Sequence, residues 1–429
     1  MRESDLNVLV IGSGGREHAL ASALAASPLV RRVTCMPGNA GMASLGRCVP
    51  VSVKDSAAIC AWARENAVDL AVCGPEVPLI NGLGDAFLAE GIPFFGPLAA
   101  GARLEGSKVF AKQVMREAGV PTGEWEAFEE FESALAAAAR RVEREGGVVV
   151  KADGEAAGKG VFVCSTAAEA EAALRTIMID RAFGASGDRV LIEERLTGQE
   201  ASVMVIANGE EIIAMPPVQD HKRAYDNDEG PNTGGMGCYC PVPAMPPELH
   251  REAIERAVMP VLQWMGTKGT PYFGCLYAGL MMTSDGLKVL EYNCRFGDPE
   301  TQVVLPMLQA DFASILVAAV RNRLDEMRPK WYDGCGVCVV LASGGYPGKY
   351  PVGFPVEGVD EASGMDGVSV FQAGTALDGG RAVTSGGRVL SVTALGASFA
   401  DARAKAYEAC SRIRFQNQHF RKDIGARLS

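Results

Sequence analysis

Val148-Val149-Val150-Lys151-Ala152-Asp153-Gly154-Glu155-Ala156-Ala157-Gly158-Lys159-Gly160 is an apolar run, a glycine-rich turn and a lysine. It invites comparison with a phosphate-binding P-loop. That pattern needs four residues between its glycines, a Ser or Thr after the lysine, and a helix to follow. Here three residues separate Gly154 from Gly158, Gly160 stands in the hydroxyl position, and the apolar Val161–Cys164 follows. The stretch therefore predicts a glycine hairpin between two strands, folding over a ligand from above. Lys151 ends an apolar strand, where a charge needs an anionic partner. Lys159 falls at the loop tip. Both suit a polyphosphate, and the plainer alternative is a surface hairpin with Lys159 in water.

Downstream, strand-like runs at Val190–Glu193 and Ala201–Ile206 are closely spaced, which predicts antiparallel pairing. Between them, Glu193-Glu194-Arg195-Leu196-Thr197-Gly198-Gln199-Glu200 offers a strand-edge backbone and apolar Leu196 for an adenine. Glu200 could accept from ribose hydroxyls. Alone it reads more readily as an acidic turn. Upstream, the apolar runs at 7–11, 68–73 and 92–95 alternate with helical patterns at 16–27, 56–65 and 79–90. This alternation predicts a doubly wound parallel sheet.

Gly12-Ser13-Gly14-Gly15-Arg16-Glu17-His18 joins the first strand to its helix. A helix N-terminus behind glycines suits an anion. A dinucleotide fingerprint would need glycine at position 17. Glu17 would repel a pyrophosphate there, so a phosphomonoester with hydroxyls is the better ligand, and a tight turn the plainer reading.

Residues 219–245 form a Gly/Pro-rich segment containing Asp220, His221, Lys222, Arg223 and the run GPNTGGMG. A long loop of this kind is functional more readily than passive. Further on, Glu291-Tyr292-Asn293-Cys294-Arg295-Phe296-Gly297-Asp298 follows an apolar run. On a strand, Glu291 and Asn293 share a face. Two oxygen ligands suit Mg²⁺, which completes its shell with phosphate and water. Arg295 continues that face, ready for a phosphate or carboxylate. A surface strand and turn is the plainer reading.

Composition narrows the function. The chain has 429 residues and a net charge of −11, with 41 Lys+Arg against 52 Asp+Glu. That balance opposes a nucleic-acid partner. Phe312–Val320 is apolar but far short of a membrane span, and predicts a buried helix. Without a secretory leader or disulfide-like spacing, the twelve cysteines point to a reducing cytoplasm. Cys335-Gly336-Val337-Cys338 lacks a matching pair for zinc and reads as buried small hydrophobes. Fifty glycines exceed the usual share. Many fall at 12–15, 38–41, 154–160, 230–237 and 344–348.

Taken in order, VIGSGGREHAL, PGNAG (37–41), GPE (74–76), LEGSK (104–108), KADGEAAGKG, QDHKR (219–223), GPNTGGMG (230–237) and NCRFGDPETQ (293–302) resemble the phosphoribosylamine–glycine ligases of the ATP-grasp superfamily. GGYPG (344–348) and RKDIG (421–425) extend the likeness. The resemblance implies an α/β protein in three parts. These are a doubly wound domain over 1–105, an ATP-grasp domain over 106–332 with a mobile lid at about 122–195, and a small β-rich domain over 333–429.

The implied reaction joins glycine to 5-phosphoribosylamine at the expense of ATP, through glycyl phosphate, in purine synthesis. Lys108, Lys151 and Lys159 would hold ATP phosphates, and Glu193, Arg195, Leu196 and Glu200 the adenosine. Glu291 and Asn293 would bind Mg²⁺ or Mn²⁺. Gly14, Gly15, Arg16, Glu17, Asn39 and Glu76 would meet the ribose phosphate or its hydroxyls. Asp220, Lys222, Arg295, Asp298 and the backbone of Thr233, Gly234 and Gly235 would surround glycine. Arg295, Lys222 and Asp220 would be the catalytic groups. Two positions depart from the family: Glu155 where an apolar residue is expected, and Arg195 in place of an aromatic. Contact with the preceding pathway enzyme, and no membrane partner, complete the expectation. The alternatives are another ATP-grasp carboxylate–amine ligase, an NAD-dependent oxidoreductase, and a catalytically silent nucleotide sensor.

Overall fold

The computed structural model describes residues 4–154, 156 and 159–428. Leu6–Gly12 is buried along its whole length. It is the middle of a five-stranded parallel sheet ordered Arg47–Cys48, Val30–Pro37, Leu6–Gly12, Leu70–Cys73, Phe94–Phe95. A continuous apolar strand is what a sheet covered on both faces requires. The strand order reverses at Leu6–Gly12, so the Gly12–Gly15 turn sits at the topological switch point.

Two expectations for this region need amendment. Val30–Pro37, absent from the sequence-based strands, pairs with all of Leu6–Gly12. The helical stretch 79–90 is two helices, Glu76–Ile80 and Leu83–Ala89, broken where Gly82 takes φ +85°.

Two antiparallel sheets follow. One is ordered Trp125–Phe128, Val190–Glu193, Val148–Ala152, Val161–Cys164, and holds the glycine hairpin between its last two strands. The other is ordered Glu211–Ala214, Gln199–Asn208, Phe273–Thr283, Gly286–Asn293. Phe312–Val320 is a buried helix, as its composition predicts.

The segment 219–245 is not a plain loop. Its short strands Gln219–Asp220 and Gly237–Cys240 extend a sheet whose other members, Cys335–Ser343, Arg388–Gly396, Val368–Gln372 and Gln418–His419, come from the end of the chain. Between them Arg223–Tyr225 and Glu229–Asn232 make a small hairpin. The C-terminal segment holds this hairpin. Arg421, 1% exposed, pairs with Asp228 at 2.9 Å, and Asp423 accepts from the Asn227 amide at 2.9 Å.

Candidate active site

A cleft of about 1440 Å³ lies where these sheets meet. Along its floor, exposure alternates from Glu291 to Arg295: Tyr292 and Cys294 are buried, while Glu291, Asn293 and Arg295 face the opening. The strand ends at Asn293, yet the alternation persists for two more residues. Burial pushes the Glu291 carboxyl upward, but Lys222, Lys151, Lys108 and Arg295 outweigh it and hold it below its ordinary value. Glu291 is therefore an ionised oxygen donor. With the Asn293 amide oxygen beside it, the pair fits a hard divalent cation that draws its other ligands from phosphate and water. Among the described residues no group of three His, Cys, Asp or Glu could hold a metal alone.

The sheet that holds the glycine hairpin supplies Lys151, and the helix Lys108–Ala118 supplies Lys112. Lys151 (6% exposed) donates to Glu193 Oε2 at 2.9 Å, so its anionic partner in the protein is a carboxylate. Lys112 (2% exposed) reaches the same oxygen at 3.0 Å and donates to Thr122 Oγ1 at 2.7 Å. Burial lowers the Lys112 ammonium to about 8. Glu193 Oε1 is buried without a hydrogen-bond partner.

The LEGSK stretch resolves into three roles. Glu105 Oε1 pairs with Arg295 at 2.8 Å. Ser107 caps the helix Lys108–Ala118 and donates to Asp153 Oδ1 at 2.9 Å. Lys108 Nζ donates to the Gly154 carbonyl at 2.9 Å. The glycine hairpin is thus moored at its root.

Of the residues expected around the adenosine, Leu196 and Glu200 line the cleft. Arg195 also borders it, with its guanidinium donating to Ser165 Oγ at 2.9 Å and lying against Gly147. Its backbone is thus the part suited to an adenine edge. Lys159 is exposed on the rim, whereas Glu155 lies outside the described residues.

Arg16, Glu76, Asp220, Lys222, Thr233, Gly234 and Asp298 also line the cleft. Lys222 pairs with Glu200 at 3.0 Å, which joins the residues expected around the adenosine to those expected around glycine. Glu76 lies 3.4 Å from Arg295. Burial, then the charge of Glu300, pushes the Asp220 carboxyl well above its ordinary range, and Asp220 Oδ1 is buried with no partner.

Gly14, Gly15, Glu17, Asn39 and Gly235 stand behind the wall rather than on it. The Glu17 carboxylate accepts from the Gly14 amide and from Arg16, and it fills the space beside Gly12 and Gly74. A side chain at Gly12 (φ +127°) would strike it. The position a pyrophosphate would take is occupied by a carboxylate, which opposes a dinucleotide. The Asn39 amide donates to the carbonyls of Ser13 at 2.8 Å and Gln372 at 2.7 Å. As placed, it braces the turn.

The sequence reading did not single out Glu105, Lys112, Glu300 or Arg388, which all line the cleft. Lys112 carried a signal, since it lies one turn after Lys108 on an amphipathic helix and so shares its face.

Two facing antiparallel sheets, buried lysines and a carboxylate–amide pair on the floor strand define an ATP-grasp protein. Solved structures agree. The crystal structure of a phosphoribosylamine–glycine ligase from Thermotoga maritima has TM-score 0.84 at 33% identity, covering 98% of this chain and all of that one. A biotin carboxylase from Campylobacter jejuni shares the fold at 15% identity, TM-score 0.76, over 98% of this chain and 94% of that one. The chain matches Phosphoribosylglycinamide synthetase descriptions for the N domain over residues 6–105, the ATP-grasp (A) domain over 106–301 and the C domain over 336–427. It belongs to that family. Phosphoribosylamine–glycine ligases from Vibrio vulnificus (strain YJ016) and Escherichia coli O6:H1 are 46% and 47% identical over 426 residues, 98% of both chains in each case. A trifunctional purine biosynthetic protein adenosine-3 from Gallus gallus is 47% identical over 423 residues, 98% of this chain and 42% of that one.

Proposed function

We propose that the cleft performs the family's ATP-dependent ligation of glycine to 5-phosphoribosylamine, giving glycinamide ribonucleotide, ADP and phosphate. The observation that carries this reading is the floor strand. It presents an ionised carboxylate, an amide and a guanidinium in sequence, beneath lysines from the lid.

A glycine carboxylate oxygen attacks the γ-phosphorus, the bond to the β–γ bridging oxygen breaks, and ADP leaves. The ribosylamine nitrogen then attacks the glycyl carbonyl carbon, and phosphate departs with the oxygen that glycine contributed. The enzyme's part is positioning and charge neutralisation. Lys108, Lys151 and Lys159 hold phosphate oxygens. Lys222 and Arg295 face the charge that develops on the reacting carboxylate, with Glu105 and Glu76 fixing the Arg295 fork. Asp220 and Asp298 border the glycine site with the 233–235 backbone. Arg16 and Glu76 face the ribose phosphate and hydroxyls from the switch point. A divalent cation, Mg²⁺ or Mn²⁺, held by Glu291 and Asn293 would neutralise phosphate charge.

The division into 1–105, 106–332 and 333–429 organises these roles, with 122–195 as the closing lid. The short strands at 219–220 and 237–240 belong by pairing to the last sheet. No described helix is long and apolar enough to cross a membrane. The twelve free thiols support a cytoplasmic setting, where the enzyme supplying ribosylamine is the natural transient partner. ADP formation measured with glycine and ribosylamine each omitted in turn tests the reading. Formation that needs neither substrate would overturn it.

A further inference from the structure

Gly234 has neither of its backbone polar groups bonded to its own neighbourhood. Its amide donates to the Tyr346 hydroxyl at 3.1 Å, and its carbonyl accepts from Arg388 Nη1 at 2.7 Å. Both partners come from the last part of the chain, more than a hundred residues away. The same Arg388 nitrogen donates to the Asp298 carbonyl at 2.9 Å, and Nη2 pairs with Asp298 Oδ2 at 3.0 Å. One guanidinium therefore ties the 234–235 loop to the turn at 298.

The loop tip has no latitude around that tie. Gly235 takes φ +111°, and a side chain there would meet Pro299 and, at 2.8 Å, Asp220 Oδ1. Gly234 is less constrained, but a Cβ there would come within 3.2 Å of the Arg388 guanidinium carbon and press on it. Arg388 is itself fixed by the last sheet, where it pairs with Ala342 and accepts from the Gly374 amide at 2.8 Å.

We propose that Arg388 is a positioning residue for glycine: its planar fork sets the spacing between the Gly234 backbone and Asp298, two walls of the proposed glycine pocket. This rests on the reading above. A guanidinium reaches two carbonyls and a carboxylate at once, which a single ammonium on a flexible stem does not reproduce. The last domain thereby contributes to the site without touching the nucleotide, whose proposed contacts lie on the lid, the floor strand and the helix Lys108–Ala118.

The test measures glycine KM, kcat and the ATP dissociation constant for R388A, R388K and Y346F, with melting curves recorded in parallel. R388A is expected to raise glycine KM about tenfold to a hundredfold, the scale of lost charge-assisted hydrogen bonds. The ATP dissociation constant is expected to stay within about twofold of wild type. R388K, which keeps the charge and is readable even where R388A folds poorly, stays defective in glycine KM. Y346F shifts the same constant less. Added guanidinium ion restores R388A, and added ammonium does not. Unchanged glycine KM in R388K, or a loss of kcat and ATP affinity together at constant glycine KM, would overturn the proposal. Wild-type protein that forms no ADP in response to glycine overturns the underlying ligase reading instead, so the two failures are distinguishable.

Discussion

Lys151 and Glu193 are joined at 2.9 Å between the adjacent strands Val148–Ala152 and Val190–Glu193, and the carboxylate oxygen left over is buried with no donor. An unmatched acceptor of this kind is costly until a ligand supplies an N–H. Adenine carries such a donor on its exocyclic amine, and hypoxanthine presents an oxygen there. Glu193→Gln is expected to weaken ATP binding about tenfold or more and to narrow the preference for ATP over ITP. Calorimetric titration with both nucleotides checks this; an undiminished preference contradicts the role.

Lys151→Met removes a proposed phosphate ligand and leaves Glu193 with Lys112 alone. Losing one of two buried cations leaves Glu193 partly compensated, so melting temperature falls together with ATP affinity, by less than a fully broken buried pair would cost, about 3–5 kcal/mol. Arg195→Ala makes a contrasting control. Its guanidinium is engaged with Ser165, so the ATP dissociation constant should remain within about twofold of wild type. A larger loss would place that side chain on the nucleotide.

Glu291→Gln keeps the shape of the floor strand and removes its charge. Turnover should fall by about a hundredfold or more, and the Mg²⁺ or Mn²⁺ concentration for half activity should rise. Equal activity at limiting metal would remove Glu291 from the cation site.

His18 is buried, and its Nδ1 accepts from the Gln372 amide at 2.8 Å. Burial lowers its pKa from 6.5 to about 4. The unfolded chain therefore binds the proton first as pH falls. The contribution is intact above pH 6.5, declines through the interval down to about 4, and changes no further below it. Its size is about 3 kcal/mol. Protection of the Leu6–Gly12 amides against hydrogen exchange reports the loss locally. His18→Gln, which keeps an acceptor, should flatten that dependence, and an unaltered slope would assign it to other groups.

What could be read from sequence followed periodicity. Glu291, Asn293 and Arg295 were legible because a period of two carries them onto one face. Lys151 stood out because a lysine ends an apolar strand. Lys112 did not, since a lysine one turn after Lys108 is also the mark of a solvated helix face. Val30–Pro37 was hidden by an exposed, arginine-bearing first half. The strands at 219–220 and 237–240 are too short to show a pattern; the first pairs with the second, and the second with Cys335–Ser343 from the end of the chain. Arg388 is an isolated arginine after a glycine pair. Only the tertiary fold brings it to Asp298.

The most direct test of the account follows an atom. Glycine labelled with heavy oxygen in its carboxylate is supplied with ATP and ribosylamine, and the released phosphate is analysed by mass. Attack of the carboxylate on the γ-phosphorus predicts one labelled oxygen in each phosphate formed. Phosphate without label, alongside amide product, would contradict a glycyl phosphate intermediate.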